Sequence, residues 1–292
     1  MKVAEIRRQR SCGQGGCSRR PSEVDHNMYV CPECKGVLVE YRCTACRITF
    51  PVIEGIPCFL TESAGDSGRR LREIYDDIYR HHVDAWVDQG RSGPFLRYFS
   101  ALAESPPDSK VLEIGCGEGM LLEALTAAAK FGIDPSLQAL LRAKRRSGAE
   151  CAVARAEALP FPRECFDVVV AVGVMEHFED ADTATAEIHR VLKPSGRYIT
   201  LIQTDMSRFE RLSVKVREYL LPRFRPLALL RWAAKKLRYR IVQPLRKSYT
   251  AETARACLAR HGLQVAEILT RRTQPEAPLA GDHVVILRAR KV

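Results

Sequence analysis

From Lys110 onward the sequence alternates apolar strand-like runs with amphipathic helical ones, and few folds accept that order. "KVLEIGCGEG" is an apolar strand entering a glycine-rich turn, and "MLLEALTAAA" reads as a helix. "KFGIDP" is a short strand ending in an acid, "SLQALLRAKRR" a helix, and "AECAVARAEALPF" a strand with a loop. "CFDVVVAVGVMEHF" has no polar alternation, as expected of a strand buried on both faces. "DTATAEIHRVLK", "PSG" and "RYITLIQT" follow as helix, turn and strand. This order predicts a parallel, doubly wound α/β sheet. "TAETARACLARHG" then reads as a helix, with "LQVAEILTRR" and "DHVVILRARK" as closing strands that pair antiparallel.

The turn Gly115-x-Gly117-x-Gly119 lies between a strand over Val111–Ile114 and a helix. Glycines there adopt positive φ and let the backbone approach a ligand closely. Asp134 ends the next strand, where a carboxylate can take both hydroxyls of a ribose. A dinucleotide or another adenosine ligand would satisfy these features. Glu113, just before the turn, suits the amino group of an amino-acid-bearing cofactor and would repel a pyrophosphate. The third glycine also comes one residue early for a dinucleotide fingerprint. Both points favour S-adenosylmethionine.

"VLEIGCGEG", "GIDPS", "AEALPF", "FDVVVAVGVMEHF" and "VLKPSGRY" together resemble the class I S-adenosylmethionine-dependent methyltransferases, in their ubiquinone-type branch, over about residues 110–201. The resemblance implies that Gly115, Gly117 and Gly119 line the methionine part, with Glu113 near its amino group. It puts Asp134 on the ribose and Ala156 and Glu157 along the adenine. One position departs from the family pattern: Arg155 stands where these enzymes often hold an acid facing the adenine amino group.

The methyl carried by a sulfonium is already activated, so such an enzyme mainly aligns the acceptor and removes its proton. His177, at the sheet's carboxyl edge with Glu176, is the candidate general base; the alternative is that it only orders its loop or touches the cofactor. Tyr75 and Tyr79 in "IYDDIY" resemble the N-terminal lid of these enzymes, and serve equally as helix-packing residues. No Asn/Asp-Pro-Pro-Tyr follows the fourth strand, which argues against methylation of base exocyclic amines. No Pro-Cys stands there for C5-cytosine chemistry.

Upstream, Cys31-x-x-Cys34 and Cys43-x-x-Cys46 form two knuckles eight residues apart. Four thiolates at this spacing close a tetrahedral structural zinc site. About 35 residues bury too little core alone, so metal would supply folding energy. "CPECKGVL", "CTAC" and "FPVIEGIP" resemble the Trm112-like zinc-ribbon family, whose members partner and stabilise methyltransferases. The ribbon is then a built-in folding partner or a substrate-side wall; a nucleic-acid-binding ribbon stays open, against few basic residues in this stretch. Cys116, Cys151, Cys165 and Cys257 read as small core residues, and Cys12 with Cys17 as a weak second metal candidate.

The full expectation is an α/β fold: a Rossmann-like, doubly wound seven-stranded sheet preceded by a small β-rich zinc ribbon. Residues 1–26 read as a disordered basic tail, 27–62 as the ribbon, 63–105 as linker and lid helices, and 106–292 as the S-adenosylmethionine-binding domain. That domain carries a basic helical insertion, 207–247.

The net charge is +11, yet it resides in that insertion. Residues 207–247 hold 13 Lys or Arg against 2 acids, and the remainder holds 33 of each. Leu227, Leu230, Ala234, Leu237 and Ile241 make an apolar stripe beside Arg231, Lys235 and Arg238. Such a helix suits a membrane surface or a lipid-linked anionic substrate; RNA and a plain lid over the site are the rivals. With no apolar run near the roughly 20 residues that span a bilayer, a cytoplasmic protein is expected, peripheral at the inner membrane face if the insertion meets lipid. The substrate expected is a small molecule, lipid-linked or glycan-linked, with RNA as the alternative, or else a chain that binds cofactor without turnover.

Overall fold

A computed structural model describes residues 28–60, 65–81, 93–204, 247–279 and 283–292. The expected basic tail with Cys12 and Cys17, and the insertion up to Arg246, lie outside the described residues. The N-terminal part holds two small hairpins, β1 (Leu38–Val39) with β2 (Arg42–Cys43) and β3 (Val52–Ile53) with β4 (Ile56–Pro57). Helices α1 (Gly65–His81) and α2 (Gly93–Ala103) follow. The alternating region gives β5 (Lys110–Ile114), α3 (Met120–Ala124), β6 (Ala129–Asp134), α4 (Leu137–Ser147), β7 (Glu150–Val153) and β8 (Phe166–Val172). It continues with α5 (Ala181–Val191), β9 (Leu192–Gln203), α6 (Ala251–Arg260), β10 (Leu263–Leu269) and β11 (Val284–Lys291).

The seven-stranded sheet has the order β10-β11-β9-β8-β5-β6-β7. β5 to β9 run parallel, and β11 is antiparallel to both neighbours. Strand order reverses between β5 and β8, and the crevice above such a switch point is where open α/β sheets bind ligands. Residues 168–172 of β8 are all buried, as the unbroken apolar run requires.

Two local readings change. The helix after the glycine turn stops at Ala124: Ser100 Oγ of α2 donates to the Ala124 carbonyl at 2.8 Å, and Leu125 turns extended into the core. The Pro194–Gly196 turn becomes an irregularity within β9, whose register against β8 passes from Phe166↔Leu192 to Val168↔Arg197.

The ribbon packs on the free edge of the sheet. Cys58 bridges Val153 of β7 in parallel, Phe59 N–H donates to the Val153 carbonyl at 2.8 Å, and Val30 N–H donates to the Pro160 carbonyl at 3.0 Å. An unpaired edge is thereby satisfied by the chain itself. Aromatic rings make the contact continuous. Phe50 meets Phe59 (5.1 Å between centroids), Phe59 meets Tyr29 (5.3 Å), and Tyr29 meets Phe161 (5.4 Å). Phe161 stacks edge-on to Phe166 and Phe131 inside the sheet domain. Ile56 and Cys58 pack instead with the core on the other face, which includes Val153 and Val168.

Lys35, between the knuckles, reaches Glu187 of α5 at 2.7 Å. The same carboxylate accepts from Leu159 N–H at 2.9 Å and from Arg190. Arg190 in turn donates to the Phe161 and Leu159 carbonyls at 2.7 and 3.1 Å. Burial alone would raise the Glu187 carboxyl, but Arg190 and Lys35 hold it below its ordinary value of 4.5. A depressed carboxylate stabilises the fold above its unfolded-state value and loses that contribution as pH falls through the folded one. Glu187→Gln is therefore expected to lower the unfolding midpoint in denaturant at pH 7, with the gap to wild type narrowing as pH falls below about 4.5.

Candidate cofactor site

The carboxyl ends of β5, β6, β7 and β8 frame a cavity of about 810 Å³, open solvent included. Gly115, Asp134, Ala156, Glu157 and His177 line it. α1 closes one side with Leu71, Tyr75 and Tyr79, and the loop after β8 closes another with Val174, Phe178 and Glu179. Burial, with Asp134 and Glu176 nearby, pushes the Tyr75 phenol well above its ordinary range.

Asp134 is the structural centre of the site. Its Oδ2 accepts from Gly117 N–H at 3.0 Å and its Oδ1 from Ser136 N–H at 2.9 Å. Both oxygens are thus engaged by backbone donors at the carboxyl end of β6. Gly115, Gly117 and Gly119 all have positive φ, at 65°, 51° and 75°. At Gly119 a Cβ would fall 2.8 Å from the Cα of Ala143 in α4. Gly117 and Gly119 thus shape the turn and dock it on α4, while Gly115 alone of the three is a wall of the cavity. Glu113 is buried within β5 and is not among the cavity's lining residues.

Asp76 of α1 reaches the same place. Its Oδ1 accepts from Ser136 Oγ at 2.7 Å and from Gln138 N–H at 3.0 Å, so a residue of the lid helix caps α4. Nothing in the pattern "IYDDIY" separates Asp76 from an ordinary solvated acid, and only the packing of α1 against α4 identifies it.

Near β7, the Glu157 Oε1 accepts from Glu179 N–H at 2.8 Å and Asp180 N–H at 3.4 Å, while burial pushes its carboxyl up. Arg155 pairs with Glu179 across the cavity wall, Nη1 to Oε2 at 3.2 Å. Glu179 carried no signal beyond an acid two residues past His177. Lys247, the last residue of the expected insertion, donates through its backbone N–H to the Glu176 carbonyl at 2.8 Å and through Nζ to the Glu179 carbonyl at 2.6 Å.

The second cluster lies in the ribbon. The four Sγ atoms of Cys31, Cys34, Cys43 and Cys46 all lie within 4.8 Å of one another. Four thiolates about 2.3 Å from one tetrahedral zinc lie about 3.8 Å apart, so the set fits that ion. The knuckles are built alike. Lys35 and Arg47, each just after a second cysteine, both have φ 61°, and their N–H groups donate to the Cys31 and Cys43 carbonyls. Cys46 N–H donates to Cys43 Sγ at 3.2 Å and draws that thiol down to about 7. A Cβ on Gly36 would sit 3.2 Å from Cys34 Sγ. Cys116, Cys151 and Cys257 are buried; burial pushes Cys151 and the partly buried Cys165 up to about 12, as inert core thiols.

The fold and this crevice are those of the class I S-adenosylmethionine-dependent methyltransferases. Residues 112–200 match the family described as a methyltransferase domain. Among curated proteins, a probable tRNA methyltransferase 9B of Mus musculus is 30% identical over 154 residues, spanning 51% of this chain and 33% of that protein. The demethylmenaquinone methyltransferase of Symbiobacterium thermophilum is 29% identical over 170 residues, spanning 53% and 68%. The chain thus spans about a third of the length of the first of these relatives. Among solved structures, the complex between the Haloferax volcanii Trm112 methyltransferase activator and the putative methyltransferase aligns with a TM-score of 0.56 at 16% identity, covering 75% of this chain and 96% of that one. That likeness is one of fold. Among the described residues, no helix is long and apolar enough to cross a membrane.

Gly119→Ala tests the turn's construction. A methyl at φ 75° meets α4 backbone at 2.8 Å, so destabilisation of about 1–3 kcal/mol is expected in chemical unfolding, without loss of the four-cysteine cluster.

Proposed function

We propose that the chain transfers a methyl group from S-adenosylmethionine to a hydroxyl or amine of a small metabolite. The observation that carries this is the cavity at the switch point, where Gly115, Asp134, Ala156 and Glu157 meet His177 and an aromatic lid. Asp134 holds the ribose, Ala156 and Glu157 border the adenine, and Gly115 leaves room for the methionine part. Gly117 and Gly119 act by setting the turn, and Glu113 acts from within β5. Bound cofactor supplies a methyl on a sulfonium, which needs no further activation. His177 takes the acceptor's proton on an imidazole nitrogen, and Tyr75, Tyr79 and Phe178 exclude water around the acceptor.

A small acceptor is favoured because apolar and aromatic groups, Leu71, Tyr75, Tyr79 and Phe178, make up much of the cavity wall. A lipid-linked or glycan-linked form of that acceptor, and contact with a membrane surface, rest on the composition of residues 207–247 alone. RNA is the second reading, favoured by the name of the mouse relative and by the 13 basic residues of the insertion. Labelled cofactor offered in parallel to a metabolite extract and to total RNA, with co-sedimentation on anionic liposomes, separates the three. Label in the small-molecule fraction is the expected result, and label only in RNA would replace it.

Asp134→Ala removes both the ribose contact and the clamp on Gly117. Affinity for S-adenosylhomocysteine is expected to fall roughly tenfold or more, read by calorimetry. Unchanged affinity would move the cofactor elsewhere.

The ribbon is proposed to hold a structural zinc through Cys31, Cys34, Cys43 and Cys46 and to serve as an intramolecular folding partner. Its residues are absent from the cavity's lining, and its aromatic rings share the core of the sheet domain. Chelation is expected to release one zinc per chain and to lower the melting temperature of the whole chain in a single transition. An unchanged melting temperature would separate the ribbon from the domain's stability.

A further inference from the structure

We propose that Glu179, paired with Arg155, is the acceptor that reads the exocyclic amine of the cofactor's adenine. The inference rests on the assignment of this cavity to S-adenosylmethionine. Arg155 precedes Ala156 and Glu157 in the wall where the adenine would lie. A guanidinium offers only donors, so Arg155 by itself would turn N–H groups toward an amine that is also a donor. The structure places a carboxylate beside it, with Arg155 Nη1 3.2 Å from Glu179 Oε2.

The other acids in the wall hold backbone donors of the loops themselves. Glu157 spends Oε1 on the N–H groups of Glu179 and Asp180, and Asp134 sits at the end of β6, clamped to Gly117 and Ser136. Glu179 is held for a reading role. Its N–H is bound by Glu157, its carbonyl accepts from Lys247 Nζ at 2.6 Å, and its side chain is restrained by Arg155. The carboxylate keeps acceptor capacity beyond the single Arg155 contact. The pair is about a quarter exposed on each side, 26% and 27%, so it borders the cavity without being sealed from an incoming base.

The test compares equilibrium binding of S-adenosylhomocysteine and S-inosylhomocysteine, whose purine carries an oxygen in place of the amine. Wild type is expected to favour the adenosyl ligand by roughly tenfold or more, because a carboxylate accepts from the amine and repels the oxygen. In Glu179→Ala the two affinities converge to within about threefold, through loss of the adenosyl ligand's advantage. Retained binding of the inosyl ligand shows that the variant is folded. Glu179→Gln keeps the shape and offers either a donor or an acceptor, so it gives the same convergence and decides the matter should the alanine variant fail to fold. A full wild-type preference in the Glu179 variants overturns the proposal while leaving the cofactor assignment intact. Failure of wild type to bind either ligand overturns the cofactor assignment, and the proposal with it.

Discussion

The carboxylate of Asp134 ties together the parts that make this crevice. It stands at the end of β6 and accepts one backbone N–H from the glycine-rich turn after β5 and another from the start of α4. Buried amide donors without partners are costly, so the turn has one favourable place relative to the helix. Gly119 then lies flush on Ala143, an approach that any side chain would block. Asp76 extends the arrangement to α1, because the lid helix caps the helix that Asp134 orients. The cavity is consequently set by backbone groups and two carboxylates before any ligand arrives.

The ribbon solves a different problem. A short β7 at the edge of a parallel sheet would expose unpaired backbone groups and one flank of the aromatic core. Residues 56–59 cover that edge, with Ile56 and Cys58 entering the core on one face and Phe59 on the other. Two small hairpins cannot bury a core of their own, and they borrow one from Phe161, Phe131 and Phe166. The Lys35–Glu187–Arg190 cluster fixes the chain between Leu159 and Phe161, which follows directly on the stretch that walls the cavity. The ribbon therefore reaches the site through this buttressed loop and not as part of its wall.

On the acceptor side the structure is less symmetrical. His177 sits on a short turn after β8, and its neighbour Glu176 offers its carbonyl to Lys247 where the chain returns from the insertion. Thr204 and Tyr249 bridge in parallel at the same place. The described residues on either side of 205–246 thus lie beside the loop that carries the candidate base.

The succession of strands and helices, the parallel sheet, the glycine turn with Asp134 and the paired cysteine knuckles were legible in the sequence, since each depends on local pattern: apolar periodicity, positive φ at glycine, and ligand spacing. The short α3 was not legible, because the Ser100 hydroxyl that bonds its last carbonyl comes from α2, distant in sequence. Nor was the division of labour among the glycines, which depends on how α4 packs behind the turn. Asp76 and Glu179 looked like ordinary surface acids, and only the meeting of α1 with α4, and of the β7 and β8 loops, gives them partners. The sequence by itself determined the class of fold, the crevice at the switch point and the spacing of the four cysteines. Tertiary structure alone decided that the ribbon closes the sheet edge and that an acid faces Arg155, because both depend on contacts between segments that share no local pattern.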